Sequence, residues 1–225
     1  MIQHIKTSKN PAEQIVVCIY DNMNTCTSNW TKEIVVNLTD FLINASLQSG
    51  FDIIIGDDEN ELLSQTESYT HAAVIAAGTS LKLSNRLFDA IKEKCKEDFY
   101  IAGHVLDRED RFFELHHQFY IINLDSHKNL NSPFIGEPSQ EKFIHVEPKS
   151  QTFDGYISQE LYQGEHSREY SGKMHGWHIL SVALENKEKI VDLGDNIRNN
   201  KKYFYHEYDH VFLRESRDLN YNQFM

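Results

Sequence analysis

The feature that most constrains the fold is an unbroken run of β-branched and apolar residues at Ile15–Tyr20. Such a run is typical of a parallel strand that is buried on both faces. An amphipathic helix is predicted after it, with Ser28 or Asn29 as its cap and Gly50 as the left-handed residue that ends it. Apolar residues recur every three or four positions along this helix: Trp30, Ile34, Leu38, Leu42 and Ala45.

The same alternation of strand and helix continues to about residue 125. Short apolar runs predict further strands, and a stripe of Leu87, Phe88, Ile91 and Cys95 predicts a helix from about Ser84. The further strands are predicted at Phe51–Ile55, His71–Ala77, Phe99–Ala102 and Phe119–Leu124. Alternation with short connections favours an α/β fold, namely an open, mostly parallel, Rossmann-like sheet with helices on both faces.

The character of the chain changes after Leu124. Residues 125–172 are polar and show little periodicity, although a helix is plausible over about Trp177–Lys187. We therefore predict a single domain over residues 1–225, with a regular α/β core at about 13–125 and an irregular C-terminal part at about 126–225.

Composition excludes several classes of function. The 22 Lys and Arg against 34 Asp and Glu give a net charge of −12, which argues against binding nucleic acid or an anionic membrane through the general field of the protein. No apolar stretch approaches the roughly 20 residues of a membrane helix. Residues 1–10 lack the apolar segment of a signal peptide, and three cysteines without a CxxC spacing suit a reducing compartment, so a cytoplasmic location is predicted.

The segment from His104 to Gln118 carries the densest set of chemically active side chains. It is predicted as a loop between two strands, and open α/β sheets bind ligands beyond the carboxyl ends of their strands. One interpretation makes His104, Asp107 and His116 ligands of a divalent metal such as Mn²⁺, Mg²⁺ or Zn²⁺. A second makes the group a base with an orienting partner, and a third treats the side chains as each other's hydrogen-bond partners.

Three other segments have both a functional and a structural interpretation. Asp57 and Asp58 follow a strand, where they would hold Mg²⁺ or a ribose, or would simply begin a helix. Trp177, between His175 and His178, offers a stacking surface for a sugar or base, or is a core residue. His206, Glu207 and His210 match the letters of the HExxH zinc motif, but the surrounding sequence is aromatic and strand-like.

Residues 72–128 resemble the central part of GT-A-fold glycosyltransferases of the glycogenin and galactosyltransferase kind. The resemblance lies in the hydrophobic pattern of Ala72–Ile75, Leu87–Asp89 and Phe119–Leu124. It implies a GT-A-like sheet, and the family uses an acidic Asp-x-Asp pair for Mn²⁺ and the sugar-nucleotide diphosphate. That pair would fall on Ala76–Thr79, which contain no carboxylate, so no catalytic residue is carried over.

The sequence thus leads to one functional hypothesis with two alternatives. The first is a glycosyltransferase-like protein that binds a nucleotide-sugar or similar phosphorylated small molecule, with Asp107 or Glu114 as base or charge stabiliser and His116 and His117 on phosphate or metal. Its pocket would have these walls: Gly78, Thr79, His104, Asp107, Glu114, His116 and His117. The alternatives are a metal-dependent enzyme that uses the same His and Asp group, and a non-catalytic interaction protein with a degenerate transferase fold.

Overall fold

A mixed sheet of eight strands organises the molecule, in the order β1-β3-β2-β4-β6-β5-β10-β8. In this computed structural model the described residues are 2–8, 14–21, 29–79, 86–107, 113–135, 143–146, 153–154, 168–171 and 175–193. The strands are β1 (Gln3–Ile5), β2 (Ile15–Tyr20), β3 (Asp52–Gly56), β4 (His71–Ala76), β5 (Ile101–Asp107), β6 (Phe113–Asn123), β7 (Phe143–Val146), β8 (Phe153–Asp154), β9 (Arg168–Ser171) and β10 (Ile190–Asp192). The helices are α1 (Asn29–Gln48), α2 (Glu59–Ser64), α3 (Arg86–Lys94), α4 (Leu124–Asn129) and α5 (Trp177–Glu185), and β7 pairs with β9 in a separate ribbon.

The first half of the chain confirms the predicted alternation. Strand β2 has the predicted bounds and pairs in parallel with both β3 and β4. Helix α1 begins at Asn29, and Gly50 follows it with a φ of 88°. A residue without Cβ adopts this left-handed conformation at little cost, which explains why the helix ends there.

The sheet is mixed where a mostly parallel one was predicted. Strand β6 runs antiparallel to both of its neighbours, β4 and β5, and β1 runs antiparallel to β3. Only residues 108–112 separate β5 from β6. A crossover between parallel strands needs a dozen residues or more, so a connection of this length permits only an antiparallel return.

The segment predicted as a polar loop is largely strand. Strand β5 continues to Asp107 and β6 already begins at Phe113, and the two extensions pair from Val105 opposite Leu115 to Asp107 opposite Phe113. The prediction was wrong because the strands were recognised by apolar runs alone. Polar side chains are tolerated in paired strands when they point away from the core.

Two apolar layers cover the faces of the sheet. Helices α1 and α3 pack on one face, where Ile34, Leu42 and Phe88 contact alternate residues of the central strands. Helices α2 and α5 pack on the other face, where Leu62 and Leu180 contact the intervening residues. Helices on both faces were predicted, and the period-two alternation of the strands divides each between the two layers.

The C-terminal part, which was predicted to be irregular apart from one helix, contributes that helix and a strand to the same core. Helix α5 lies within the predicted range, and β10 pairs in parallel with β5 from Ile190 opposite Ile101. Leu193 continues this pairing, since its amide donates to the carbonyl of Gly103 over 2.9 Å. A strand of three residues is too short to show a period, which is why it was missed.

Two further sequence expectations concern membrane helices and the zinc motif. None of the helices within it is long and apolar enough to cross a membrane. His206, Glu207 and His210, which match the letters of the zinc motif, lie outside the described residues.

The neighbouring residues Val35 and Val36 provide a matched test of the core beneath α1. Val35 is fully buried, whereas Val36 is 41% exposed. We expect Val35→Ala to lower the free energy of unfolding by about 2 kcal/mol, because it removes two buried methyl groups and leaves a cavity. Val36→Ala should change it by less than about 0.5 kcal/mol, as is usual at the surface. Urea unfolding of both variants measures the difference, and equal effects would contradict the orientation of α1.

Candidate functional site

The carboxyl ends of the central strands share one edge of the sheet, which we call the carboxyl edge. Strands β2, β3, β4, β5 and β10 are parallel in direction and end there, and the antiparallel strand β6 begins there. The last pair between β4 and β6 joins Ile75 to Phe119, so residues 114–118 of β6 extend past the end of β4. The polar segment found in the sequence therefore lies at the edge where open α/β sheets bind ligands.

A bulge brings four imidazoles together at this edge, and we call His104, His116, His117 and His175 the imidazole cluster. Gly103 is opposite Tyr120 but Val105 is opposite Leu115, so residues 116–119 of β6 face the single residue His104. Bulges re-aim side chains in this way. The ring centroids are 6.0 Å apart for His104 and His116, 5.0 Å for His116 and His117, and 6.1 Å for His117 and His175.

A buried carboxylate lies beneath the imidazole cluster. Glu59, at the start of α2, is only 6% exposed. The Tyr120 hydroxyl donates to its Oε1 over 2.6 Å, and the Nε2 atom of His175 lies 2.8 Å from its Oε2. A buried charge is tolerated only when it is paired and hydrogen-bonded. Here one carboxylate oxygen is paired with a side chain of β6, and the other with a side chain that lies just before α5.

The surroundings of His175 favour its protonated form. Its Nδ1 lies 2.6 Å from the carbonyl of Leu115, which can only accept, so Nδ1 carries a proton. Burial alone lowers the pKa of His175, but the hydrogen bond and charge of Glu59, the Leu115 carbonyl and the charge of Glu114 outweigh it and raise the pKa above 6.5. These contacts therefore favour the form with a second proton on Nε2, in which His175 and Glu59 form an ion pair.

Close packing around Leu115 fixes His175 in place. The amide of Leu115 donates to the His175 carbonyl over 2.9 Å. The next residue, Gly176, has a φ of 74°, and a Cβ there would overlap the side chain of Leu115. A glycine is thus required for the chain to approach β6 so closely before it enters α5.

Carboxylates surround the neighbouring end of β2. The pKa of Tyr20 is raised by burial and then by the charges of four carboxylates. These are Asp21, Asp57, Asp58 and Glu59. The side chain of Asp58 accepts from the amide of Glu61 over 2.9 Å and caps α2, as the structural interpretation of this segment predicted. The carboxyl edge therefore has an acidic half at β2 and β3 and an imidazole half at β5 and β6.

Gly78 and Thr79 lie at the end of β4 but face the layer of α1. The Gly78 amide donates to the hydroxyl of Thr39 over 3.0 Å, and Thr79 is only 2% exposed. The structure therefore brings them to the carboxyl edge without placing them among the imidazoles. Their position as pocket walls remains a prediction.

Trp177 does not offer the stacking surface that one interpretation of the sequence assigned to it. It is the first residue of α5, is 1% exposed and packs in the core between α5 and the sheet. A ring whose faces are covered by protein cannot stack on a ligand, so the core interpretation is the one the structure supports. The flanking residues diverge, since His175 reaches Glu59 while His178 stacks on Phe134 with a centroid distance of 4.4 Å.

The metal interpretation gains no support within the described part of the chain. No three or more His, Cys, Asp or Glu side chains there form a group that could hold a metal ion. His104 and His116 are close, as predicted, but the side chain of Asp107 lies outside the described residues. The Nδ1 atom of His116 accepts from the amide of Gln118 over 3.2 Å.

Gln118, which follows His117 in β6, has a buried polar side chain with unusual surroundings. Its side chain is wholly buried, and within the described structure neither its Oε1 nor its Nε2 has a hydrogen-bond partner. A buried amide without partners costs about 1–3 kcal/mol, so in native proteins such a group usually marks a water, an ion or a ligand. Gln118 was not predicted, because its neighbours in sequence are all candidates themselves and nothing in the pattern distinguishes it.

Glu59 and Tyr120 were also missed as site residues. The sequence shows Glu59 only as one carboxylate of an acidic run, and Tyr120 only as one residue of an apolar strand. Their contact joins positions that are 61 residues apart, and no periodicity reports such a pair.

Comparisons of the chain with protein-family models, with curated proteins and with solved structures gave no match.

The raised pKa of His175 predicts a specific dependence of stability on pH. A histidine with a raised pKa stabilises the fold fully below its unfolded pKa of about 6.5 and loses this contribution as pH rises through the folded value. We therefore expect the free energy of unfolding to fall above pH 6.5 in the native protein and to fall less steeply in Glu59→Gln. Urea unfolding between about pH 6.5 and pH 8.5 measures the two slopes.

The control is Glu61→Gln, which changes an exposed carboxylate on the same helix and should keep the native slope. His71 and His127 do not interfere, because burial lowers the pKa of both and they destabilise the fold only below pH 6.5. Equal slopes for the native protein and Glu59→Gln would show that Glu59 does not hold the charge of His175.

Proposed function

We propose that the protein binds a nucleotide-sugar or a similar phosphorylated small molecule at the carboxyl edge and that it is a glycosyltransferase-like protein. The observation that carries the proposal is the imidazole cluster, which collects four histidines at the edge where α/β sheets bind ligands. Imidazoles donate hydrogen bonds to phosphate oxygens and gain a proton as the anion approaches.

The two halves of the edge match the two chemical parts of such a ligand. The phosphate groups would lie on His104, His116 and His117, whose ring N–H groups can donate to phosphate oxygens. Ribose or sugar hydroxyls would donate to carboxylates of the acidic half, of which Asp57 is exposed. Glu114, half-buried and close enough to His175 to raise its pKa, would serve as base or charge stabiliser, the role in which Asp107 is the alternative.

The manganese ion that the resemblance implies does not fit this chain at the matching position. Ala76, Ala77, Gly78 and Thr79 end β4 without a carboxylate, and Mn²⁺ prefers oxygen ligands of that kind. The proposal therefore assigns the neutralisation of phosphate charge to the imidazoles.

The Gln118 amide supports a ligand or an ordered water at this edge. An amide offers one acceptor and one donor side by side, and both are unused in the described structure. A ligand that presents a matching donor and acceptor would recover the free energy that their burial costs.

A thermal-shift screen of nucleotide-sugars, with and without Mn²⁺, Mg²⁺ or Zn²⁺, tests the proposed function. A ligand that binds only the folded state stabilises it by about 2.7 kcal/mol at a hundredfold excess over its Kd. We expect at least one nucleotide-sugar to raise the Tm without metal. We also expect the double variant His116→Ala/His117→Ala to lose that shift.

The matched control is His4→Ala, which removes an exposed histidine on β1 and should keep the shift. An unchanged shift in the double variant would overturn the role of the imidazole cluster. A shift with metal alone would favour the metalloenzyme, and no shift with any compound would favour the non-catalytic interaction protein.

Substitution of Gln118 by leucine should separate stability from binding. Leucine fills a similar volume without polar atoms, so Gln118→Leu is expected to raise the free energy of unfolding of the free protein by about 1–3 kcal/mol. It should at the same time weaken the ligand found in the screen, because the partners of the amide are lost. Urea unfolding and calorimetric titration measure the two effects, and a less stable variant would show that Gln118 has a partner in the free protein.

A further inference from the structure

A cavity of about 450 Å³ lies on the α2 and α5 face of the sheet, away from the imidazole cluster. It opens between the C-terminal end of α2, helix α4 and the segment 132–134, and none of the four clustered histidines lines it. Its size suits a small organic molecule, since ligand pockets usually have volumes of about 300–1,000 Å³.

Residues 131–135 form one wall of the cavity, and several hydrogen bonds fix their backbone. The Asn60 side chain accepts from the amide of Ile135 and donates to its carbonyl, both over 2.6 Å. The Ser132 amide donates to the carbonyl of His127 over 2.9 Å. Asn131 and Ser132 have φ values of 62° and 49°, a left-handed pair that persists only where the surroundings enforce it. The cavity is thus a preformed feature.

The floor combines apolar surface with one polar group. Leu63, Leu124 and His127 are buried and line the cavity. Phe134 also lines it, and its stack on His178 fixes the orientation of its ring. Polar residues, among them Asn60, Thr66 and Ser132, line the remainder of the cavity. Apolar surface combined with a few placed polar groups is the usual composition of a small-molecule site.

The hydrogen bond of His127 determines which of its ring nitrogens carries the proton. Its Nδ1 lies 3.1 Å from the hydroxyl of Tyr100. Burial raises the pKa of Tyr100, so the hydroxyl keeps its hydrogen, and within the described structure it has no other acceptor. Burial lowers the pKa of His127 to about 4, so the ring is neutral, and with Nδ1 accepting, the hydrogen lies on Nε2. Nε2 is a donor without a partner among the described residues.

The ammonium group of a lysine lies at the rim of the cavity. Lys128 is exposed and lines the cavity, and its Nζ lies 3.4 Å from the carbonyl oxygen of Glu67. Glu67, also exposed, carries the one carboxylate among the described residues that line the cavity. One ammonium beside one carboxylate can accommodate one further negative charge but disfavours a dianion.

We propose that this cavity binds a small monocarboxylic acid with an aromatic body. The carboxylate accepts from the Nε2–H of His127 and from the ammonium of Lys128. The ring lies over Leu63 and Leu124, beside the ring of Phe134. The site is independent of the proposed function at the carboxyl edge, because it shares no residue with it.

Calorimetric titration with 3-phenylpropionate and with its neutral amide, 3-phenylpropanamide, tests the site in the full chain. We expect the acid to bind saturably and about tenfold tighter than the amide, since only the acid pairs with Lys128. Lys128→Met should bring the affinity for the acid to that for the amide. Lys96→Met, an exposed lysine on the other face of the sheet, is the matched control and should leave both affinities unchanged.

Location is tested by ¹⁵N spectra of histidine-labelled protein. Addition of 3-phenylpropionate should shift the ring signals of His127 and leave those of His4 unchanged. Absence of saturable binding, equal affinity for acid and amide, an unaltered affinity in Lys128→Met, or an unshifted His127 would each overturn the site.

Discussion

The carboxyl edge depends on a single buried carboxylate. Glu59 accepts from Tyr120 on β6 and pairs with His175 before α5, so three segments that are far apart in sequence meet at one side chain. The cost of burying this charge is offset only while both partners remain in place. Removing either would leave one buried carboxylate oxygen without its partner, and the bulge of β6 and the entry to α5 would lose their common point of attachment.

The position of Glu59 also explains how opposite kinds of side chain coexist at the edge. Tyr20 and three further carboxylates lie on the β2 and β3 side of it, and the imidazole cluster lies on the β5 and β6 side. His175 lies between these halves, and its raised pKa favours the ion pair with Glu59. Because the ion pair is neutral overall, it separates the acidic half from the remaining imidazoles without adding charge to either.

Sequence patterns predicted the parts of the fold in which burial and period coincide. Ile15–Tyr20 and the stripe of α1 are long and regular, so both elements were found with nearly correct bounds. The strands that carry the polar site were underestimated, because His104 and Glu114 interrupt their apolar pattern while the backbone pairing continues. Strand β10, with three residues, had no period to detect.

For the site, the sequence indicated which residue types are concentrated but not how they pair. Three of the four clustered histidines were predicted to lie together, because they flank one short connection in the chain. His175 was noticed only as the neighbour of Trp177, whereas its partner is Glu59, 116 residues away. A pair of this kind is created by the packing of α2 and the start of α5 on one face of the sheet, and packing is not encoded in local spacing.

At both proposed sites, the surroundings of a histidine ring determine its protonation. At the carboxyl edge, the carboxylate of Glu59 and the carbonyl of Leu115 raise the pKa of His175 and so favour its charged form, which the charge of Glu59 neutralises. At the cavity beside α4, burial keeps His127 neutral, and the Tyr100 hydroxyl that donates to Nδ1 directs the one ring hydrogen to Nε2. In each case the hydrogen-bond partners of the ring determine which of its nitrogens carry a hydrogen. In a chain with twelve histidines and a net charge of −12, such partners let imidazoles act as local donors where lysine and arginine are few.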